Sequence, residues 1–334
     1  MGGGGGTLGY RPGASLTESS LRIADYSEKA EVEGPRPNSQ ESTAKGRHPS
    51  NFLYNLPMDL AAKQMRLNEV LTGLGRTLIA YSGGVDSAYL AFAAYKALGS
   101  EMLAVIADSP SLARTHLQDA IAFAEEQMIP LQIVQTREME RPEYVRNDAS
   151  RCFHCKDELF IVMERFAEDH GFHSIAYGVN VDDQGDFRPG QMAAKNHKVA
   201  APLLEAGLTK SDIRELARQA GLRVWEKPAS ACLSSRIEYG RPVTSEALTA
   251  VEKGEDALRA LGFRQFRVRH HGEIARIEIA CDELEKALNV KMFSEFSRIF
   301  KALGFTYVTL DTEGFRSGSM NATLSPKTLV KLGS

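Results

Sequence analysis

The chain has 334 residues and a mass of 36.7 kDa, enough for two domains of ordinary size. Its 43% hydrophobic and 25% charged residues are those of a globular protein, and a net charge of −3 argues against a dedicated nucleic-acid binder. No apolar run approaches the roughly 20 residues that cross a bilayer, and no basic-then-apolar leader opens the chain. Four cysteines at this length make no disulfide framework, so a reducing cytoplasm is the expected compartment.

Residues 1–57 stand apart. Gly2–Gly6 is low complexity, and Pro35–Ser50 has almost no large apolar residue, so this stretch is expected to be disordered. It reads as a dispensable extension or a misassigned start, with Met58-Asp59-Leu60 as the natural beginning. A helical stripe follows (Leu60, Met65, Leu67, Val70, Leu71, Leu74), closed by Gly73 and Gly75. Strands are expected at Leu78–Tyr81, Met102–Ala107, Leu131–Gln135 and Ser174–Tyr177, with helices at Tyr89–Leu98, Leu112–Gln127, Asp157–His170 and Lys210–Ala220. This alternation predicts an α/β fold, a doubly wound parallel sheet over 58–236, with ligands at the carboxyl ends of its strands. Past Pro228 the rhythm changes. A helix (Ser245–Leu261), two strands (Phe266–Arg269, Ala275–Ile279) around a His271-Gly272 turn, a helix from Asp282 to Leu303 broken near Asn289, and a last strand Tyr307–Leu310 predict a smaller C-terminal α+β domain over 237–334. That unit packs on the first or serves oligomerisation, and a homo-oligomer is expected.

The most informative run is Tyr81-Ser82-Gly83-Gly84-Val85-Asp86-Ser87, between the first strand and the helix after it. Glycines let the backbone approach an anion, and the amides of the first helical turn, with the helix dipole, favour negative charge there. Ser82 and Ser87 add hydroxyls, and Asp86 offers a hard carboxylate to Mg²⁺. No GxxxxGK[ST] occurs, so this is not the lysine-bearing phosphate loop. The run resembles the PP-loop of the N-type ATP pyrophosphatases, which split ATP between its α- and β-phosphates. On the same sheet edge, Asp108 falls where a base or ribose would sit. Asn180, Asp182 and Asp183 could hold Mg²⁺ or ribose, and Arg188 is a candidate phosphate clamp.

Arg151-Cys152-Phe153-His154-Cys155-Lys156 is a CxxC before a helix: half a zinc site with His154 or His170, a redox pair, or two buried thiols. Cys232 sits among small and hydroxyl residues, as in an accessible loop, where Arg236 would favour its thiolate. Cys281 ends an alternating strand and reads as a core thiol. Three thiolates and no fourth protein ligand would suit a [4Fe–4S] cluster with one open iron. Arg267 and Arg269 share a strand face and could grip a phosphate or pair with Glu278, whereas Glu255 has no assignable partner.

Taken together, Ala80–Ser87, Ala107–Leu112, Arg151–Phe160, Asp186–Ala193, Ala201–Arg218, Cys232–Arg236, Arg267–Ile279 and Gly314–Asn321 resemble the LarE family of ATP-dependent sulfur transferases. The resemblance implies that ATP adenylates a carboxylate of pyridinium-3,5-dicarboxylate mononucleotide and that sulfur displaces AMP, toward the nickel-pincer nucleotide of lactate racemase. It implies ATP and Mg²⁺ contacts at Ser82, Gly83, Gly84, Asp86 and Ser87, a sulfur-donor role for Cys232, and substrate-phosphate contacts at Arg267 and Arg269. Within the family a single cysteine is sacrificed, or three cysteines hold a [4Fe–4S] cluster. Cys152, Cys155 and Cys232 match the second pattern. The residues name no supplier of sulfur. The competing readings are a tRNA thiolase, which should carry a basic, aromatic-bearing RNA face, and a nucleotide-binding regulatory module without chemistry.

Overall fold

Asp59 accepts a hydrogen bond from the Ala62 amide at 2.7 Å, the N-cap geometry, at the start of α1 (Leu60–Leu74). The structure is a computed structural model that describes residues 59–184, 189–228, 231–316 and 319–320; the expectations for residues 1–57 and for Arg188 lie outside that range. Gly73 does not end α1. It lies within the helix, at a position with nothing near a potential Cβ, and Gly75, at φ +65°, is the stop.

The chain then runs β1 (Thr77–Ala80), α2 (Val85–Leu98), β2 (Met102–Asp108), α3 (Arg114–Glu126), β3 (Leu131–Gln135), α4 (Pro142–Val145), α5 (Arg151–His170), β4 (Ser174–Tyr177), α6 (Pro189–Asn196), α7 (Pro202–Glu205) and α8 (Lys210–Gln219). The four strands are all parallel, in the order β3-β2-β1-β4. Their side chains alternate between two cores. Ile79, Ala104 and Ile106 face α1, α2, α3 and α8 through residues such as Leu71, Leu90, Ala120 and Leu216. Leu78, Val105 and Val134 face α5 and α6 through Phe160, Met163 and Ala193. The sheet is doubly wound, as the alternation predicted. Strand order reverses between β1 and β4, which places a ligand crevice at their carboxyl ends.

Past α8 come α9 (Ser245–Ala260), β5 (Phe266–His271), β6 (Ile274–Ile279), α10 (Leu284–Ala287), α11 (Val290–Ala302) and β7 (Tyr307–Leu310). They form a separate three-stranded sheet, β5-β6-β7, antiparallel then parallel, over a core that includes Val268, Ile277, Phe296 and Phe300. Gly254 in α9 is required there, because a Cβ would stand 2.6 Å from Phe300. The break near Asn289 is an N-cap, with Asn289 accepting from the Met292 amide at 2.9 Å. Cys281 corrects an expectation: it is exposed, its Sγ 3.6 Å from the Glu313 carbonyl, because the strand ends at Ile279 and a 3-10 turn carries the thiol outward. Both sheets lie within one compact unit. A cluster of Ala113, Tyr144, Leu233, Ile237, Leu248 and Val251 spans the space between them.

Two packing details carry predictions. Gly178, directly after β4, lies against the first turn of α2, where a Cβ would meet the Ser87 amide nitrogen at 2.8 Å. Gly178→Ala should lose about 1–3 kcal/mol in urea unfolding, and an unchanged midpoint would show that the approach is looser than this. His197, after α6, sits 2.9 Å from Glu164 and 3.0 Å from Asp157, both on α5. Burial alone would lower its pKa, but the two carboxylates outweigh burial and raise it. A raised folded pKa stabilises below the unfolded value of about 6.5, and that contribution is lost as pH rises through the folded value. The stability gap between wild type and His197→Gln should therefore be widest in acid and narrow in alkali; a gap that grows with pH would refute the assignment.

Candidate active site

The Ser82–Ser87 turn is held by its own hydroxyls. Ser87 Oγ accepts from the Ser82 amide at 3.1 Å and lies 3.0 Å from Ser82 Oγ and 3.1 Å from the Gly84 carbonyl. Gly83 takes φ +69°, and a Cβ there would stand 2.6 Å from Ala120 Cβ, so the turn packs directly on α3. Gly84 is the N-cap of α2 and makes no side-chain hydrogen bond, which leaves the first-turn amides facing the sheet edge.

Across the switch point, Asn180 accepts from the Asp182 amide at 2.9 Å, and Asp183 accepts from the Asn180 amide at 3.1 Å. Asp86 faces this turn. Burial raises its carboxyl above the ordinary value and Asp183 adds to the rise, against Lys210, whose Nζ lies 3.3 Å away. Asn180 lies near enough to favour the charged form, yet Asp86 Oδ1 and Asn180 Nδ2 are both buried without a hydrogen-bond partner among the described residues. Sequence reasoning missed Lys210; the Thr209-Lys210-Ser211-Asp212 capping box at the head of α8 was the available signal. Asp108, at the end of β2, is engaged by Arg114 and by Gln135 Nε2 at 3.2 Å.

The thiols lie at the carboxyl ends of β2 and β3. Cys152 and Cys155 occupy the first turn of α5, which starts at Arg151 and so includes the CxxC. Cys155 packs on the cluster containing Leu233, the neighbour of Cys232. Leu233 in turn donates to the Ser111 carbonyl, after β2, at 2.8 Å. Burial, then the Cys232 charge, raise the Cys155 thiol, and the same two causes raise Cys152. Cys152 nevertheless touches solvent. Among the described residues no three His, Cys, Asp or Glu side chains converge as ligands of one metal ion. Buried Glu138, another residue missed, accepts from Ser109 on this edge and adds to the rise at Cys155.

Arg236 does not serve as the cation of Cys232. It is 1% exposed and grips Glu255 through two bonds, 2.9 and 3.2 Å, while Nη1 donates to the Ala231 and Cys232 carbonyls at 2.6 and 2.8 Å. That supplies the partner Glu255 lacked in sequence. Arg269 pairs with fully buried Glu278 at 2.7 Å, which also accepts from Arg276 and Ser319, so the arginine–glutamate ladder is a buried network and not a solvated one. Burial, with Arg236 and Arg269 nearby, lowers Arg267 to about 10. Its guanidinium also lies 4.9 Å from the Phe315 ring centre.

These groups border a cavity of about 790 Å³ lined by His116 and Asp119 of α3, by Ala231, Ser235 and Arg236 around Cys232, by Tyr239, and by Arg267 and Arg269 of β5. The stretch of α3 that lines it also covers Gly83, through Ala120 and the His116 carbonyl. The structure thus brings the Cys232 loop and the arginine pair to one cavity, and the glycine turn packs on the helix α3 that lines it. Removing Arg236 alone (Arg236→Met) should destabilise by about 3–5 kcal/mol in urea, by stranding Glu255. Arg236→Met with Glu255→Leu should recover most of that loss; no recovery would mean the pair is not the cause.

No family model matches the chain. It is 41% identical over 266 residues to an uncharacterised protein of Synechocystis sp., covering 80% of this chain and 99% of that one. It is 34% identical over 268 residues to the pyridinium-3,5-bisthiocarboxylic acid mononucleotide synthase of Lactiplantibacillus plantarum, covering 80% of this chain and 96% of that one. A chain of the glutamine-hydrolysing GMP synthase of Methanococcus vannielii matches over 164 residues at 29% identity, 44% of this chain and 50% of that one, in keeping with a PP-loop-like parallel sheet. No helix among the described residues is long and apolar enough to cross a membrane. On similarity over 80% of its length to a named synthase, the chain belongs to the LarE-type family of pyridinium-3,5-bisthiocarboxylic acid mononucleotide synthases.

Proposed function

We propose that the protein is an ATP-dependent sulfur transferase that converts a carboxylate of pyridinium-3,5-dicarboxylate mononucleotide into a thiocarboxylate, working in a reducing compartment. The observation that carries this reading is the cavity bordered by the arginine pair, the Cys232 loop and the α3 face that covers the glycine turn. Such a layout lets one bound substrate meet a nucleotide and a sulfur in succession.

A carboxylate resists nucleophiles until one oxygen becomes a leaving group. In the first step a substrate carboxylate oxygen attacks the α-phosphorus of ATP and pyrophosphate departs. In the second, sulfur attacks the acyl carbon and AMP departs. The residues at 58–236 serve the first step. Ser82, Gly83, Gly84 and Ser87 hold the phosphates through amides and hydroxyls. Asp108 and Asn180 face the nucleoside end, Arg188 clamps a phosphate, and Lys210 balances charge. Mg²⁺ fits Asp86 and Asp183, since the buried, partnerless Asp86 Oδ1 and two mutually unfavourable carboxylates call for a cation. Over 237–334, Arg267 and Arg269 hold the substrate phosphate, which relieves the cationic crowding that lowers Arg267.

Three soft thiols suit an iron–sulfur group, and Cys232 is close enough to act on both Cys152 and Cys155, so these three would be the residues to hold a [4Fe–4S] cluster. When bound, the cluster would supply an open iron for a transferable sulfur, whereas Cys232 alone would give up its own sulfur.

Anaerobic protein should carry about four iron and four sulfide per chain, lost in Cys152→Ala. With ATP and the substrate nucleotide, Cys232→Ala should still release pyrophosphate but form no thiocarboxylate by mass spectrometry. Ser87→Ala should lower pyrophosphate release by about 10²–10³-fold. Thiocarboxylate formed by Cys232→Ala, or none formed by wild type with iron and ATP present, would overturn the reading.

A further inference from the structure

The CxxC segment and the Cys232 loop are remote in sequence but stitched together in space. Val243 donates to the Val145 carbonyl at 2.9 Å and Gly240 to the Asn147 carbonyl at 3.0 Å. The Asn147 amide group donates to the Glu238 and Arg241 carbonyls at 2.9 and 2.8 Å, and Tyr144 Oη lies 2.5 Å from Ser234 Oγ. At the centre is Arg151, 4% exposed, which immediately precedes Cys152. Its Nη1 donates to Asn147 Oδ1 and, at 2.8 Å, to the carbonyl of Ser234, two residues past Cys232. The Tyr239 ring, which lines the cavity, lies 5.4 Å from the guanidinium.

A buried guanidinium is costly unless its donors and its charge are met. Among the described residues no carboxylate pairs with Arg151. Its acceptors are neutral oxygens, the Asn147 side-chain carbonyl and the Ser234 backbone carbonyl. A guanidinium buried on neutral acceptors is unfavourable as mere scaffolding, and it spans the two segments that carry the thiols. One nitrogen of a rigid planar group bonded to both segments at once also fixes a distance, which an ammonium on a flexible lysine stem holds less firmly.

We propose that Arg151 is a positioning residue whose guanidinium sets the separation of Cys232 from Cys152 and Cys155 before any cofactor is bound. The proposal rests on the reading that the three thiols act as one site. Its test uses the full chain without iron and dibromobimane, which becomes strongly fluorescent on bridging two thiols. Peptide mapping separates the bridge within α5 (Cys152 to Cys155) from bridges to Cys232. In wild type both should form. In Arg151→Gln and in Arg151→Lys the Cys232 bridges should fall on the order of tenfold relative to the intrahelical bridge, which reports that α5 is still folded. An unchanged ratio, or a lysine variant equal to wild type, would overturn the proposal, the latter because charge alone would then suffice. Should neither variant fold, Tyr144→Phe removes the adjoining Ser234 contact with little change in volume and should lower the same ratio; no change would count against the clamp. Iron content read in parallel keeps the two ideas apart: wild-type bridges without iron would leave the clamp standing and remove the cluster.

Discussion

Arg236 and Glu255 meet where the molecule's two sheets come together. The guanidinium belongs to the short turn after Cys232, the carboxylate to α9, and Glu255 Oε1 also accepts from the Val268 amide of β5 at 3.2 Å. Arg236 in turn holds the Ala231 and Cys232 carbonyls. One ion pair thus connects the Cys232 loop, a helix and the strand that bears Arg267 and Arg269. Neither partner can be spared alone, since each would leave a buried charge behind. Both the shape of the cavity and the placement of its arginines follow from it.

Charge in the cavity is layered. Glu255 matches Arg236, Glu278 matches Arg269, and Asp119 lies 3.5 Å from Lys227. These pairs fix the cations without removing their field, and burial first, then the charge of Arg236 and Arg269, make the environment of Arg267 resist its own positive charge. A cavity that carries these cations is complementary to an anionic ligand.

Much of this was legible in the sequence because local rules and tertiary structure agree. Leu131–Gln135 and Ser174–Tyr177 match the observed strands residue for residue, and Asn289 announced its own cap. The glycine turn was readable because strand, glycine pair and helix are adjacent in the chain. What escaped depends on partners remote in sequence. The start of α5 at Arg151 is fixed by Asn147 and Ser234, and no periodicity encodes that. Glu255 and Arg236 name each other only in three dimensions. Cys281 looked buried because its strand alternates correctly up to Ile279 and then turns. Asp86 and Lys210 meet across the crevice at 3.3 Å, a contact that needs the sheet to be built first.

The stitching of residues 144–151 to residues 234–243 also has a temporal side. During synthesis the chain emerges from its N-terminal end, and the parallel sheet with its CxxC helix can collapse before Arg236, α9 and β5 exist. Contacts of such long sequence separation form late, because their loop must close first. The three thiols therefore become neighbours among the last events of folding. A nascent chain displays Cys152 and Cys155 on a helix before the Cys232 loop is in place, so the assembled arrangement coincides with the finished fold.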